Sequence, residues 1–534
     1  MNDAADGAPD FVDIPARPDK PDAAAMAAAG NRSVLTALVA ARRKYGPDAV
    51  AVEDGDRRAL TYTRLLRAVA ALSRVIRREV KGDVVGILLP SSTAAAVAYF
   101  AVLAAGKTPA MLNFTAGRGP ITAACRLANV SAVVTAQRFI TLAKLEPLLP
   151  PLGEVAPVMM LEDVAKRVGV RDKAFALLAL PLGLLPKADP DSAAAIVFTS
   201  GAEGDPKGVV LTHRNFLSNI AQVAEALPLD MIRVFFNPLP VFHSFGLGPG
   251  LILPLVTGLR LVLHPSPLRA KEIAQRIAET KANILLTTDT FLRQYARAGE
   301  DGSLSSLQFA ICGAERVRHE TRELVRSRFG FDVLEGYGVT ETAPVLAVNH
   351  PADIRDGTVG QTLPGIELRL VAVEGLDDGR RLLVRGPNIM AGYLDPATGA
   401  VVPPKDGWHD TGDVVVIEDG CLVIRGRLKR FAKIGGEMTS LVVVEQAAGV
   451  AWPQSLHAAA VVPGTTRGEQ IVLLTEEPEP DPAALQTALQ AQGLPPRYLP
   501  SRVITVEAVP LLGTGKVDYV SVSRMAAALT QEAG

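Results

Sequence analysis

Short unbroken apolar runs alternate with helix-periodic segments through much of this chain. The clearest runs are "VVGILLP", "AAAIVFTSG", "RLVLHP", "ANILLTT" and "LQFAICG". Successive residues of a strand point to opposite faces, so a strand that is apolar throughout must be covered on both faces. Parallel sheets flanked by helices meet this requirement, and they bind ligands in the loops at the carboxyl ends of their strands. The sequence therefore predicts an α/β fold with its functional loops at those ends.

The spacing of apolar residues predicts the helices between these strands. In "SVLTALVAARRKYG", Val34, Leu35 and Leu38 share one face, and Ser33 is placed to cap the helix. A second amphipathic helix is predicted in "TRLLRAVAALSRVIRREV". A further helix is predicted to begin near Asn215, after the "AAAIVFTSG" strand.

The pattern changes after about residue 360, where "GIELRLVAVEG", "GRRLLVRG" and "CLVIRGR" predict short strands joined by glycine turns. Beyond Arg427, helix and strand patterns return. A chain of 534 residues also exceeds what one simple core accommodates. We therefore expect a flexible tail at 1–30, an N-terminal domain of layered α/β sheets at 31–428 with a small β-barrel module at about 360–428, and a small mobile α+β domain at 429–534.

Composition excludes several classes of protein. The 55 Lys and Arg residues balance the 56 Asp and Glu residues, so no bulk charge favours nucleic acid. Three scattered cysteines are too few for a disulfide framework or a zinc site, which predicts buried, reduced thiols in a cytoplasmic protein. No apolar stretch reaches the length of about 18 residues that spans a membrane.

One shorter apolar segment, "FALLALPLGLLP" at 175–186, lies between Lys173 and Lys187. We expect a surface loop or broken helix packed on the body of the protein. Shallow contact with the inner face of the membrane is the alternative.

The segment "TSGAEGDPKG", Thr199 to Gly208, has the composition of a phosphate-binding loop. Its glycines, including Gly201 and Gly204, permit close approach of the backbone to an anion. Thr199 and Ser200 add hydroxyls, and Lys207 adds a positive charge. An ordinary surface turn uses similar residues, so this segment alone leaves both interpretations open.

This loop departs from the P-loop of nucleotide hydrolases at two positions. That pattern has Gly before its Lys and Ser or Thr after it, where the hydroxyl reaches magnesium. Here Pro206 precedes Lys207 and Gly208 follows it. A P-loop enzyme is therefore disfavoured.

Four later segments carry further candidate residues. "EGYGVTET" joins an aromatic ring, glycines, a threonine and a carboxylate, which could stack a base, bind a phosphate and hold magnesium. "HDTGD" places Asp413 where a carboxylate could accept two ribose hydroxyls. "GRLKRFAKIGGE" carries Arg427, Lys429 and Lys433, and "LLGTGKVDY" carries Lys516. Each residue alone could be an ordinary turn or cap residue, and their ordered occurrence favours function.

In this order and spacing, the segments resemble the adenylate-forming superfamily, which comprises acyl-CoA synthetases, luciferases and the adenylation domains of peptide synthetases. The resemblance extends from about Ser33 to Asp518. "MLNFTAG", "PVFHSFGL", "TTDTFLRQYA", "GAERVRHETR" and "EGYGVTETAPVLAVN" look most like acyl-[acyl-carrier-protein] synthetases. Those are often fused to a 2-acylglycerophosphoethanolamine acyltransferase with a His-x4-Asp signature. None of the seven histidines here has Asp five residues later, so the resemblance is to the synthetase half.

The resemblance implies ATP-dependent activation of a medium- to long-chain fatty acid to acyl-AMP, with magnesium, then transfer to the phosphopantetheine thiol of acyl carrier protein. The implied nucleotide-binding residues are Thr199, Ser200, Gly201, Gly204, Lys207, Gly313, Ala314, Glu315, Glu335, Gly336, Tyr337, Gly338, Thr340, Asp413, Arg427 and Lys429. The implied catalytic residues are Lys516, Thr340, Glu341, His243 and Lys433, with Glu341 also the magnesium ligand.

Three of these residues have particular implied roles. Lys516 would bridge the carboxylate and the phosphate in the first step. Lys429 maps to the hinge about which the family rotates its C-terminal domain between the two steps. His243 resembles an aromatic gate beside an acyl tunnel, and a core histidine is its alternative.

One departure concerns Ala202 and Glu203, where the superfamily usually has two hydroxyl residues and the carrier-protein branch has Ser then Glu. Loss of one donor to phosphate costs roughly 0.5–1.5 kcal/mol, so we expect a raised KM for ATP rather than inactivity.

Two other functions remain open. A fatty acid:CoA ligase would share the first step. A non-catalytic lipid-binding protein is disfavoured, because the chain retains the lysines, carboxylates and arginine that the chemistry needs.

Overall fold

A computed structural model describes residues 11–14, 30–200, 205–434, 437–463, 469–511 and 517–532. The chain divides into two compact units. The larger comprises residues 16–366 and 385–409, and the smaller comprises 1–15, 367–384 and 410–534. The predicted α/β class is confirmed.

The strands and helices are numbered in chain order. The strands are β1 (Phe11–Ile14), β2 (Val50–Glu53), β3 (Ala59–Thr61), β4 (Val84–Ile87), β5 (Thr108–Met111), β6 (Val130–Thr135), β7 (Val158–Met160), β8 (Ala193–Ser200), β9 (Pro206–Thr212), β10 (Val234–Asn237), β11 (Arg260–Leu263), β12 (Ile284–Thr287), β13 (Phe309–Cys312), β14 (Asp332–Gly338), β15 (Val345–Val348), β16 (Gln361–Thr362), β17 (Glu367–Val373), β18 (Leu376–Arg385), β19 (Gly392–Leu394), β20 (Val401–Val402), β21 (His409–Glu418), β22 (Cys421–Arg427), β23 (Phe431–Ile434), β24 (Glu437–Ser440), β25 (His457–Pro463), β26 (Glu469–Thr475) and β27 (Arg502–Thr505). The helices are α1 (Val34–Tyr45), α2 (Tyr62–Glu79), α3 (Thr93–Ala104), α4 (Arg118–Leu127), α5 (Gln137–Leu142), α6 (Leu149–Val155), α7 (Leu161–Arg167), α8 (Val170–Leu178), α9 (His213–Ala226), α10 (Ser244–Leu247), α11 (Leu253–Thr257), α12 (Ala270–Thr280), α13 (Asp289–Ala298), α14 (His319–Phe329), α15 (Leu441–Ala451), α16 (Pro482–Ala491) and α17 (Tyr519–Glu532).

The larger unit contains two sheets whose central strands are parallel. The nine-stranded sheet has the order β16-β15-β14-β13-β12-β10-β11-β2-β3, and the eight-stranded sheet has the order β20-β19-β9-β8-β5-β4-β6-β7. Strands β10 to β14 pair in parallel, as do β4 to β8 where they are neighbours. The parallel sheets predicted from the unbroken apolar runs are confirmed.

The predicted first helix and its cap are also confirmed. The Ser33 hydroxyl accepts a hydrogen bond from the Thr36 backbone N–H at 3.2 Å, directly before α1. This bond satisfies one of the backbone donors that the first turn of a helix leaves without a partner.

Strand β9 was not predicted. The sequence predicts a helix soon after β8, and α9 does begin at His213. Before that helix, however, residues 206–212 form a strand antiparallel to β8. Residues 208–212 are all buried, because β9 lies between β8 and β19. The phosphate-loop candidate therefore joins two strands of a hairpin.

The smaller unit contains a five-stranded sheet, a two-stranded sheet and a three-stranded sheet. The module expected to be a small β-barrel is the five-stranded sheet, with the order β1-β17-β18-β21-β22. The same unit includes the residues after 429, which form β23 to β27 and α15 to α17.

The flexible-tail prediction was wrong for residues 11–14, which form β1. Phe11 pairs with Val371 of β17, and Arg369 donates two hydrogen bonds to the Asp13 carboxylate, at 2.6 and 2.9 Å. The Arg369 guanidinium also lies 4.5 Å from the centre of the Phe11 ring. These contacts involve a partner more than 350 residues away, so no local pattern indicates them. Residues 1–10 and 15–29 of the predicted tail lie outside the described residues.

All three cysteines are buried and free, which confirms the part of the prediction that concerns the thiols themselves. Burial raises the pKa of the Cys125 thiol to about 12, so it stays protonated at neutral pH. No described helix is both long enough and apolar enough to cross a bilayer.

His213, the first residue of α9, links this helix to α1. Its buried ring accepts a hydrogen bond at Nδ1 from the Val34 backbone N–H, at 3.2 Å. Burial lowers the pKa of His213 to about 4, because the charged ring would lose its hydration.

We expect the free energy of unfolding to decrease as the pH is lowered through a window set by His213. Between pH 6.5 and 4 the His213 ring is protonated in the unfolded chain but neutral in the native state. The native state therefore has its full stability above this range and loses stability as the pH falls through it. The contribution amounts to about 2 kcal/mol between pH 7.5 and pH 5. Urea unfolding of the wild type and His213→Asn at both pH values measures it. An equal pH dependence in the two proteins would contradict this role.

Candidate active site

The candidate phosphate loop is held by the β8–β9 hairpin. Thr199 lies opposite Lys207 in the strand register, and the Ser200 backbone pairs with that of Pro206. Thr199 is half-buried and Lys207 is exposed. The Ser200 side chain, Gly201 and Gly204 lie outside the described residues, and so does Ala202. The described part of the hairpin thus places one hydroxyl and one cation side by side at the start of the loop.

Strand β19 packs against the hairpin and explains its departure from the P-loop pattern. Tyr393 of β19 pairs with Val209 of β9. A Cβ added to Gly208 would lie 2.8 Å from Leu394 Cδ1 and 3.3 Å from Leu394 Cβ. A side chain at the position after Lys207, such as the hydroxyl residue of a P-loop, would therefore require Leu394 to shift.

Tyr393 connects the hairpin to the candidate magnesium ligand. The Lys207 ammonium lies 5.4 Å from the centre of the Tyr393 ring, a cation–π distance. The Tyr393 hydroxyl donates a hydrogen bond to Glu341 Oε1 at 2.6 Å. The Met390 backbone N–H also donates to the Glu341 carbonyl, at 2.8 Å. These contacts place Lys207, Tyr393 and Glu341 in one connected group.

Tyr393 was not predicted from the sequence. It lies 52 residues after Glu341, and the segment "AGYLD" around it matches no phosphate or metal pattern. Only the pairing of β19 with β9 brings it to the site.

Thr340 and Glu341 lie on a single 3-10 turn, Thr340–Thr342, that follows β14. Below them, the buried Thr342 hydroxyl donates to the Pro344 carbonyl at 2.6 Å. Gly338 is required just before the turn, because a Cβ there would lie 1.7 Å from the Pro344 carbonyl oxygen. The turn is therefore fixed by backbone packing.

The His243 segment lies against this turn. Ser244 Oγ, one residue after His243, is 3.1 Å from Thr340 Oγ1, and either hydroxyl can donate. Phe245 lies beside the turn after β13, since a Cβ on Gly313 would be 3.0 Å from Phe245 Cζ. The structure therefore brings His243 and Thr340 into the same region.

The ring of His243 ends a row of aromatic side chains. Its centroid lies 4.6 Å from that of Phe242, which lies 4.8 Å from Phe114, which in turn lies 4.9 Å from Phe139. We call these four residues the aromatic row. Phe242 is buried, and Phe114 and Phe139 are half-buried and pack against the core of the eight-stranded sheet.

The adenine candidates occupy the carboxyl ends of two neighbouring parallel strands. Cys312 of β13 pairs with Glu335 of β14, so the turn at Gly313 and Ala314 lies beside Gly336 and Tyr337. Ala314 is exposed and has a φ of +70°, in the left-handed region. The four residues therefore lie together, as expected for ligand-binding loops at the carboxyl ends of parallel strands.

Two carboxylates of this region bind protein groups. Glu315 Oε2 accepts a hydrogen bond from the Thr290 backbone N–H at 3.0 Å. Glu335 is buried, accepts from the Val317 backbone N–H at 2.8 Å and forms an ion pair with Arg322. Burial raises the pKa of Glu335, and Arg322 opposes that effect. Both carboxylates thus support the turn that follows β13.

Asp413 and Arg427 belong to the smaller unit and face each other across β21 and β22. Arg427 Nε lies 3.2 Å from Asp413 Oδ1. The Asp413 side chain is buried and that of Arg427 is exposed. The structure therefore brings these two predicted residues into direct contact, with the carboxylate held in place by the sheet.

Lys429 and Lys433 are both exposed residues of the smaller unit. Lys429 lies on the 3-10 turn Leu428–Arg430, directly after β22. Lys433 lies on β23, and its Nζ is 3.5 Å from Glu374 Oε1.

Lys516 lies outside the described residues, but the chain on either side of it is fixed. Leu511 and Val517 form an antiparallel bridge, and the Asp518 backbone N–H donates to the Pro510 carbonyl at 2.8 Å. The described residues on the two sides of Lys516 are therefore joined to each other.

A half-buried cluster joins Tyr519, which follows this bridge, to the turn that contains Lys429. The Tyr519 hydroxyl donates to Glu445 Oε2 at 3.1 Å, and Arg430 forms an ion pair with the same carboxylate. The Arg430 guanidinium also stacks 3.7 Å from the centre of the Tyr519 ring. Arg430 is one of the basic residues that could serve either acyl acceptor, whereas Glu445 and Tyr519 were not predicted; the three become neighbours only through the tertiary fold.

The donor set around Glu341 suits magnesium that arrives with a nucleotide. Mg²⁺ is usually held by one or two carboxylates together with substrate phosphates and water. Within the described ranges, no group of three or more His, Cys, Asp or Glu side chains could hold a metal ion. Glu341 would supply the one carboxylate, oriented by Tyr393, and the nucleotide phosphates and water would supply the remaining ligands.

Known proteins resemble this chain in sequence and in fold. The chain is 28% identical to 4-coumarate–CoA ligase 2 of Oryza sativa over 79% of each chain, and 28% identical to the medium-chain fatty-acid–CoA ligase of Escherichia coli over 75% of this chain and 73% of the relative. Its fold resembles that of o-succinylbenzoate CoA synthetase from Bacillus subtilis in complex with ATP and magnesium, with a TM-score of 0.77 and 19% identity over 90% of this chain and 98% of the other.

The family model of AMP-binding enzymes matches residues 39–394, which include the hairpin, His243, Glu341 and Tyr393. That span covers well over half of the 534 residues. The chain belongs to the AMP-binding enzyme family of adenylate-forming ligases.

Proposed function

We propose that this enzyme activates a fatty acid with ATP and transfers the acyl group to the phosphopantetheine thiol of an acyl carrier protein. The connected group of Lys207, Tyr393 and Glu341, with the Thr340 hydroxyl on the same turn as Glu341, carries this proposal. It supplies a cation, a hydroxyl and one carboxylate, which together suit the phosphates and magnesium of a nucleotide.

In the first step, an oxygen of the fatty-acid carboxylate attacks the α-phosphorus of ATP, and the bond from that phosphorus to pyrophosphate breaks. The attack brings two anions together, so cations must stand ready around them. Lys207 and the hairpin loop would hold the β- and γ-phosphates, Thr340 would donate to a phosphate, and Lys516 would bridge the two reacting anions. Magnesium on Glu341 would neutralise phosphate charge.

The candidates for nucleoside binding comprise an adenine set and a ribose set. Gly313, Ala314 and Tyr337 would frame adenine at the carboxyl ends of β13 and β14. Asp413 would accept hydrogen bonds from the two ribose hydroxyls, with Arg427 beside it. The buried sheet position of Asp413 supports this role, because a fixed acceptor needs little reordering when the nucleotide binds.

In the second step, the thiol sulfur attacks the acyl carbon, the bond from that carbon to AMP breaks, and the thiol loses its proton. One site must first exclude water and then admit a bulky carrier, which favours a conformational change between the steps. We propose that the segment after Lys429 moves, withdraws Lys516 and presents Lys433.

The aromatic row supports a hydrocarbon substrate. Phe242, Phe114 and Phe139 extend from His243 as a series of ring contacts, and His243 is followed directly by the residue that contacts Thr340. A fatty-acid chain could bury apolar surface along these rings while its carboxylate remains at the nucleotide.

The acceptor has two candidates. The sequence segments that resemble acyl-[acyl-carrier-protein] synthetases support a carrier protein. Two relatives are named as CoA ligases, which supports CoA as the second candidate. Both acceptors present the same phosphopantetheine thiol.

Product analysis distinguishes the acceptors. The enzyme is incubated with ATP, magnesium and a fatty acid, together with either holo acyl carrier protein or CoA, and thioester is measured by mass spectrometry. We expect thioester on the carrier protein at a kcat/KM at least about tenfold above that for CoA, a difference of about 1.4 kcal/mol. Thioester on CoA alone would contradict the carrier-protein proposal and would support a fatty acid:CoA ligase instead.

A second experiment tests the packing at Gly208. Gly208→Ser places a hydroxyl where a P-loop has one, yet we expect it to lower the ATP-dependent rate by tenfold or more, because its Cβ would overlap Leu394. Leu394→Ala should restore part of the activity in the double variant. A Gly208→Ser enzyme with unchanged or higher activity would show that β19 does not constrain this position.

A further inference from the structure

Helix α8 and the turn after it expose an unusual set of large apolar side chains. Val170, Leu177, Leu178, Leu182 and Leu184 are between 48% and 83% exposed. We call these five residues the leucine surface. Single exposed leucines are common, but a contiguous group of them marks a binding surface.

The spacing within α8 places the apolar side chains on the outward face. Val170, Ala174, Leu177, Leu178 and Pro181 are exposed and follow the three- and four-residue spacing of one helix face. The opposite face holds the buried or half-buried Asp172, Phe175, Ala176 and Ala179. A surface helix normally turns its polar residues outward, so this outward apolar stripe needs a partner to cover it.

The segment is held firmly while its leucines remain exposed. Asp172 Oδ2 accepts hydrogen bonds from Arg78 at 3.1 Å and from the Gly169 backbone N–H at 3.1 Å. Ala176 and Ala179 pack against Ala70 of α2. These contacts attach α8 by its inner face, so the leucines cannot turn inward without breaking the ion pair of the buried Asp172 carboxylate.

A glycine cap extends the leucine surface beyond the helix. The Leu184 backbone N–H donates to the Ala179 carbonyl at 2.9 Å, and Gly183 has a φ of +63°. This pattern terminates a helix with a fixed left-handed residue. Leu182 and Leu184 are therefore presented on an ordered turn.

The charges around the leucine surface are basic. Arg171, Lys173 and Lys187 are exposed, and among the described residues no carboxylate lies within ion-pair distance of them. The one acidic residue between 166 and 187 is Asp172, which is buried against Arg78. The leucine surface thus carries positive charge at its edge.

We propose that the leucine surface docks the enzyme reversibly on an anionic lipid bilayer. Protruding leucines enter the boundary between headgroups and acyl chains, and nearby Lys and Arg side chains contact anionic headgroups. The segment is short and presents its leucines outward, which suits insertion into a fluid surface. This docking is independent of the acyl acceptor and brings the enzyme to a phase where fatty acids dissolve.

Flotation of the full-length enzyme with vesicles tests the proposal. The vesicles contain phosphatidylcholine with or without phosphatidylglycerol. We expect the wild type to float with the anionic vesicles, and Leu177→Ser/Leu182→Ser to lose binding by tenfold or more. The matched control is Met231→Ser/Leu268→Ser, which removes apolar side chains that are 65% and 64% exposed elsewhere, and it should bind like the wild type.

Two other outcomes would overturn the proposal. Equal binding by the leucine variant and the wild type would exclude this surface. A change of oligomeric state in the leucine variant without vesicles, with vesicle binding unchanged, would assign the surface to contact between copies of the chain.

The charge component is measured with Lys173→Gln/Lys187→Gln. We expect this variant to lose most of the difference between anionic and neutral vesicles while it keeps the wild-type thermal unfolding temperature. A wild type that binds both vesicle types equally would exclude the anionic component.

Discussion

The hydrogen bond from the Tyr393 hydroxyl to the Glu341 carboxylate joins the two large sheets at the candidate site. Tyr393 belongs to β19 of the eight-stranded sheet, and Glu341 follows β14 of the nine-stranded sheet. The same tyrosine ring lies under the Lys207 ammonium. One side chain therefore sets the separation between a cation and a carboxylate that the proposed chemistry uses on a single nucleotide.

The surroundings of this bond leave little freedom. Leu394 fills the space beside Gly208, and β19 is held to β9 by antiparallel pairing. Thr342 and Gly338 fix the turn that carries Glu341, through a buried hydrogen bond and a close backbone approach. Preorganised groups of this kind stabilise developing charge without the cost of reorganising during the reaction.

The sequence predicted those features that depend on local pattern. Unbroken apolar runs indicated parallel strands, and a serine before an apolar helix face indicated the cap at Ser33. The sequence did not predict features that depend on contacts between segments far apart in the chain. Strand β9 is buried because β19 covers it, and β1 forms because Arg369 and β17 offer it a partner. Tyr393 carries no recognisable spacing relative to Glu341, so only the folded chain reveals it.

Predicted residues differ in how the fold uses them. Thr340, Glu341 and Lys207 gather around Tyr393 and the His243 segment, and Asp413 contacts Arg427 within its own sheet. Glu315 and Glu335 instead support the turn beside the adenine candidates. A carboxylate in a motif can therefore act through the backbone that it positions, and its hydrogen-bond partners show which segment it supports.

Exchange of labelled pyrophosphate into ATP, driven by fatty acids of graded chain length, tests the central claim most directly. Formation of acyl-AMP is reversible, so an enzyme that makes it must catalyse this exchange without any thiol acceptor. We predict exchange that depends on both the fatty acid and magnesium, and that is lost in Lys516→Ala. Absence of exchange with every fatty acid would contradict the assignment of this chain as a fatty-acid-activating enzyme.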